Sequence, residues 1–182
     1  GFQIVSSTVF GSNRALEYDG SNNGTIYSYE NDGLPNYFSK GETATVRLRE
    51  DDTDGIFPGV VFGATSSDNG IQAKIFGGST NLVRILDDSG STILDGESVS
   101  IGNEIHELEI QRHDGTGSQP DDEIVVELYE LDSNFDRVTP AKATLSANVA
   151  RIASQSGIGF TTASFGPQMV FAGDYIAGQP LP

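Results

Sequence analysis

The sequence predicts an all-β fold, a sandwich or jelly roll. Three observations carry the prediction. Eleven short segments either alternate apolar and polar residues or are rich in β-branched and aromatic types. Clusters of Gly, Asp, Asn, Ser and Pro separate them, among them "DGSNNG", "NDGLPN", "SSDNG" and "HDGTGSQPDD". Helix-length amphipathic segments are scarce, and no repeat period points to a propeller or solenoid.

In chain order, "FQIVSSTVF" (2–10) and "RALEYDG" (14–20) alternate on either side of a Gly-Ser-Asn turn. "GTIYSYE" (24–30) is a β-rich run between turn clusters. In "ETATVRLRE" (42–50), successive side chains point to opposite faces, so Val46 and Leu48 share one face and Thr45, Arg47 and Arg49 the other. "PGVVFGAT" (58–65) and "GIQAKIFG" (70–77) flank the turn "SSDNG"; Ile71, Ala73 and Ile75 oppose Gln72, Lys74 and Phe76. "NLVRILDD" (81–88) follows. "EIHELEIQRHDG" (104–115) puts Leu108 and Ile110 inward with Glu107 and Glu109 opposite, and His106 on the inward parity as a hydrogen-bonded structural histidine. "DEIVVELYELD" (122–132) puts Ile124, Val126 and Leu128 inward, with Glu127 and Tyr129 opposite. "TPAKATLSANVARIASQSG" (139–157) has an N-cap-like Thr139-Pro140 and helical spacing of Leu145, Val149 and Ile152, yet Ala141 to Val149 alternate; it reads as a strand to about residue 147 and then a short helical turn. "SGIGFTTA" (156–163) and "QMVFAGDYIAG" (168–178) complete the set.

With 182 residues and 36% hydrophobic content, the chain reads as one sandwich domain over 1–182. It starts at Gly1 and its single Met is Met169, which suggests a segment excised or processed from a longer chain. The absence of Cys excludes disulfides and thiolate metal sites. No apolar run approaches the ~18 residues that suit insertion into a membrane. Charge is the strongest compositional feature: 26 acids against 10 bases give −16, spread along the chain. Small domains usually carry a net charge of magnitude ~2–8. Spread acidity with few lysines points to a protein working in concentrated salt, where self-repulsion is screened; an ordinary acidic extracellular domain is the alternative. No basic stripe exists for nucleic acid.

The order of the segments "STVFGSNRALEYDGS", "ETATVRLRE", "FPGVVFGATSSDNGIQAKIF", "NLVRILDDSGS", "NEIHELEIQRHDG", "IVVELYELDSN", "SGIGF" and "MVFAGDYIAG" resembles laminin G-like members of the concanavalin A-like lectin/glucanase superfamily. The resemblance spans nearly the whole chain, with Ile105 where many relatives have Trp. It implies two curved antiparallel sheets, an extracellular role and binding to glycans or other surface ligands. The hairpin at 58–77 would then be two central strands of one sheet, which accounts for its low charge.

Candidate chemistry is sparse. If their strands share a sheet, Arg47, Arg49, Lys74, Glu107, Glu109, Glu127 and Tyr129 form one polar face. Tyr129 offers a ring and a hydroxyl suited to a sugar, and the charged groups could bond its hydroxyls. The other reading of this face is a solvated surface of neutralising pairs. Glu107 and Glu109 lack the E-x-D-x-x-E pattern of the glucanase branch, Arg112 standing where its third carboxylate would fall, and the chain has no Trp. "EDDTDG" (50–55) fails as an EF-hand because the closing position is Val61; a looser calcium site of Asp51, Asp52 and Asp54 stands against solvated loop acids.

The expected function is therefore non-catalytic: a module displayed on a cell or virion surface in high salt, recognising a cell-surface glycan or glycoprotein. A structural knob packing against copies of itself, as a homo-oligomer within a larger assembly, is the alternative, and glycoside hydrolysis a second one.

Overall fold

The computed structural model describes residues 2–6, 14–18, 41–49, 59–66, 69–77, 80–87, 92–102, 104–113, 122–149, 158–161 and 169–180. They form twelve strands: β1 (Phe2–Ser6), β2 (Arg14–Tyr18), β3 (Glu42–Arg49), β4 (Gly59–Ser66), β5 (Asn69–Phe76), β6 (Leu82–Asp87), β7 (Thr92–Ser98), β8 (His106–His113), β9 (Asp122–Glu130), β10 (Ala143–Val149), β11 (Ile158–Thr161) and β12 (Met169–Pro180). All pairings are antiparallel. A seven-stranded sheet runs β1-β2-β12-β3-β8-β9-β10, and a five-stranded sheet runs β11-β4-β5-β6-β7.

The alternation in the sequence explains the packing. Ala44, Val46 and Leu48 of β3, Leu108 and Ile110 of β8, and Ile124, Val126 and Leu128 of β9 form one wall of the core. Val60 and Phe62 of β4, Ile71, Ala73 and Ile75 of β5, and Val83 and Ile85 of β6 form the facing wall. Fully burying each of the larger side chains contributes about 1.5–3 kcal/mol, so this double wall is the main source of stability. The inward parities expected for β3, β5, β8 and β9 are those observed.

Several expectations need correction. β7 has no counterpart among the expected strands. β10 runs to Val149, two residues past the expected end. The run at 24–30 and the helical turn after β10 lie outside the described residues, as do Asp51, Asp52 and Asp54. Among the described residues, no group of three or more His, Asp or Glu could hold a metal ion. Likewise, no helix among them is long and apolar enough to cross a membrane. Arg112, weighed above as a replaced carboxylate, points into the core side of β8 and forms a buried ion pair with Asp122 at 2.7 Å.

Candidate functional site

The outer face of the seven-stranded sheet, turned away from the core, brings together most of the polar residues singled out from sequence. Neighbouring strands place Arg47 opposite Glu107, Glu107 opposite Tyr129, and Glu109 opposite Glu127. Arg49 shares the parity of Arg47 at the β12 side of β3. Lys74 does not belong to this group: β5 lies in the other sheet, so the single polar face expected from parity divides in two. Parity within a strand fixes which side a residue faces but not which sheet the strand joins.

A residue that alternation did not reveal organises this face. Arg137, on the β9–β10 connection, bonds Glu107 Oε1 through Nε at 2.6 Å and Glu109 Oε2 through Nη2 at 2.5 Å. Its guanidinium lies 4.4 Å from the centroid of the Tyr129 ring. The connection is held by Asp132, whose Oδ1 accepts the amides of Asn134 and Asp136 at 2.8 and 3.0 Å. Phe135, at φ 65°, places its ring 5.5 Å from Arg47. Arg47 also approaches Glu107 at 3.4 Å. Tyr129 donates its hydroxyl to Glu127 at 3.0 Å, Gln111 donates to Glu109 at 2.7 Å, and His113 meets Gln111 at 3.0 Å.

The result is a network in which each group answers another. Burial, then the hydrogen bond and charge of Glu127, hold the Tyr129 hydroxyl above its usual range, against the opposing charge of Arg137. Burial pulls the Arg137 guanidinium down, but its bonds to Glu107 and Glu109 outweigh that and raise it. On the core side of β8, His106 is fully buried. Its Nδ1 lies 3.0 Å from the Glu104 carbonyl, which can only accept, so Nδ1 carries the proton and Nε2 faces Lys142 Nζ at 3.4 Å. Burial first, then the Lys142 charge, lower His106 to about 4. This is the structural histidine expected from its parity.

The outer face of the five-stranded sheet is different. Gln72, Lys74 and Phe76 of β5 point to it, and a cross-strand row runs Gly59, Lys74, Arg84, Gly96 over β4 to β7. A Cβ at Gly59 would run into the Ala73 carbonyl oxygen and stand 2.5 Å from Lys74 Cγ, and one at Gly96 would stand 3.0 Å from Arg84 Cγ. The two glycines thus make room for two long cationic side chains lying side by side. Like charges directly opposite on paired strands are destabilising, and among the described residues neither cation has a carboxylate partner. Burial alone lowers Lys74 to about 8. Gln72 is 0% exposed, and both atoms of its side-chain amide lack a hydrogen-bond partner. An unsatisfied buried polar group costs about 1–3 kcal/mol. Exposure grows along the face, from Gln72 through Lys74 at 6% to half-buried Phe76 and Arg84, whose guanidinium lies 5.2 Å from the Phe76 ring. Gln72 and Arg84 carry this site, and neither is marked as a site by a motif or by alternation in the sequence.

No protein-family model and no curated protein matches the chain. Solved structures do resemble it. The carbohydrate-binding module CBM66 from Bacillus subtilis aligns over 98% of this chain and 92% of its own, at 12% identity and a TM-score of 0.57. The marine PL-14 alginate lyase from Aplysia kurodai aligns over 97% and 87%, at 13% identity and a TM-score of 0.55. The galectin LEC-6 from Caenorhabditis elegans aligns over 90% and 96%, at 13% identity and a TM-score of 0.47. Identities this low speak to architecture alone, and the first two likenesses, with the two sheets described above, make the chain an all-β, antiparallel jelly-roll sandwich.

Proposed function

We propose that the chain is a non-catalytic glycan-binding module that holds its ligand on the outer face of the five-stranded sheet. The observation that carries this reading is Gln72, a buried amide with two unpaired atoms on a face that grades outward to an aromatic ring. A sugar supplies what the face lacks: hydroxyls that donate to and accept from the amide, and an apolar ring side for Phe76. The seven-stranded face is the weaker candidate, because Tyr129, Glu107 and Glu109 already bond to neighbours that a ligand would have to displace. Glu107 and Glu109 are both held by Arg137, an arrangement that suits structure better than general acid catalysis. The fold likeness to a carbohydrate-binding module agrees with the reading. Display on a cell or virion surface in a salty habitat belongs to the same proposal and rests on the net charge of −16.

A glycan array in molar salt followed by calorimetry tests it. Gln72→Leu should abolish binding to the hits while keeping or raising the thermal midpoint. Tyr129→Ala and Glu109→Gln should leave affinity unchanged. If those two variants lose binding while Gln72→Leu keeps it, the ligand sits on the seven-stranded face instead. An array without hits would reject glycan binding and favour the self-packing structural module.

A further inference from the structure

We infer that the ligand of the five-stranded face is an acidic saccharide whose carboxylate or sulfate group lies between Lys74 and Arg84. The inference rests on the binding reading above and adds the chemical class. The chain has only 10 basic residues against 26 acids, yet two of the ten stand directly opposite each other on paired strands. Arg112, Arg137 and Lys142 each have a carboxylate at 3.0 Å or closer. Lys74 and Arg84 have none among the described residues. Arg84 is the charged group that faces Lys74 across the sheet, and Gly59 is its neighbour on the other side.

Two adjacent cations without an anion repel each other, more so where burial removes water from one of them. An anionic group between them removes both penalties and gains charge-assisted hydrogen bonds, about twice as strong as neutral ones. The arrangement also suits salt water. Exposed charges are screened within roughly 3 Å at 1 M, whereas contacts made in a largely buried site keep their strength. Gln72, two residues from Lys74 on the same face, then reads the hydroxyls of the same sugar ring or the next. The glycines at the ends of the row keep methyl groups from narrowing the space beside the cations.

Calorimetry on the full chain in molar salt decides the matter with three probes: tetragalacturonate, its fully methyl-esterified form, and a sulfated galactan tetrasaccharide. Binding of either acidic probe at least tenfold tighter than the ester supports the inference and names the acid. Lys74→Met and Arg84→Gln should each remove most of that difference, and Lys74→Met should fold at least as stably as the parent, since it deletes a buried charge. The acid and ester binding equally would overturn the inference and leave glycan binding standing. So would neutral glycans binding where neither acid does. An acid preference unmoved by both variants would place the anion elsewhere and also overturn it. Failure of every probe, together with an array without hits, would remove the underlying reading itself.

Discussion

Arg137 reaches back from a turn to two glutamates and a tyrosine ring, and its removal should be felt in stability rather than in binding. Arg137→Ala deletes two charge-assisted bonds and leaves Glu107, Glu109 and Glu127 facing one another. With a third of the side chain exposed, solvent discounts the loss to about 1–2 kcal/mol. Urea unfolding measures it, and glycan affinity on the other sheet should not change. His106 makes a second prediction. Its folded value of about 4 lies below the ordinary 6.5, so the unfolded chain takes up a proton first as pH falls. Stability from this group is complete above pH 6.5 and is lost as pH drops towards 4, on the order of 3 kcal/mol. Unfolding free energy measured between those values should fall less steeply in His106→Gln. At this scale, alternation made the sides of Leu108, Glu109, Tyr129 and His106 legible. It could not reveal Arg137, because a turn has no period, nor the isolation of Gln72, which depends on what other strands bring beside it.

Strands with two different faces were readable, and strands at the margin were not. The β4–β5 hairpin was legible because Val60, Phe62, Ile71, Ala73 and Ile75 alternate towards the core with hardly a charge between them. β7, "TILDGES", escaped because most of it is exposed and Asp95, Gly96 and Glu97 are poor strand formers. It is an edge, and so is β10 among the described strands. Asp95 Oδ2 on β7 accepts the amide of Ser146 on β10 at 2.9 Å, linking the margins of the two sheets. Unpaired edge amides invite pairing with other chains. Asp95→Ala should therefore cost about 1 kcal/mol and increase association, read by thermal melting and light scattering. Asp95→Asn, which keeps an acceptor, should restore most of the loss.

Over the whole molecule, the fold class was legible from period-two patterning, whereas sheet membership was not. That is why strand parity alone groups Lys74 with Tyr129, although the two lie on different sheets. Pairing partners are chosen by long-range packing, which no window of the sequence contains. Net charge acts at this scale too. With −16 spread over 182 residues, the melting temperature should rise by about 5 °C or more between low and molar sodium chloride. A flat profile would remove the case for a salty habitat. The two glycines of the cationic row have a consequence for engineering. At Gly59 an added methyl would run into the Ala73 carbonyl, a fixed backbone atom, so this position is closed to variation. At Gly96, exposed on the edge strand, the nearest obstacle is the movable Arg84 side chain at 3.0 Å. New residues can enter there without disturbing the core and redirect one cation. If the row holds an acidic saccharide as proposed, a library at residue 96 would change which acids it accepts on an unchanged scaffold.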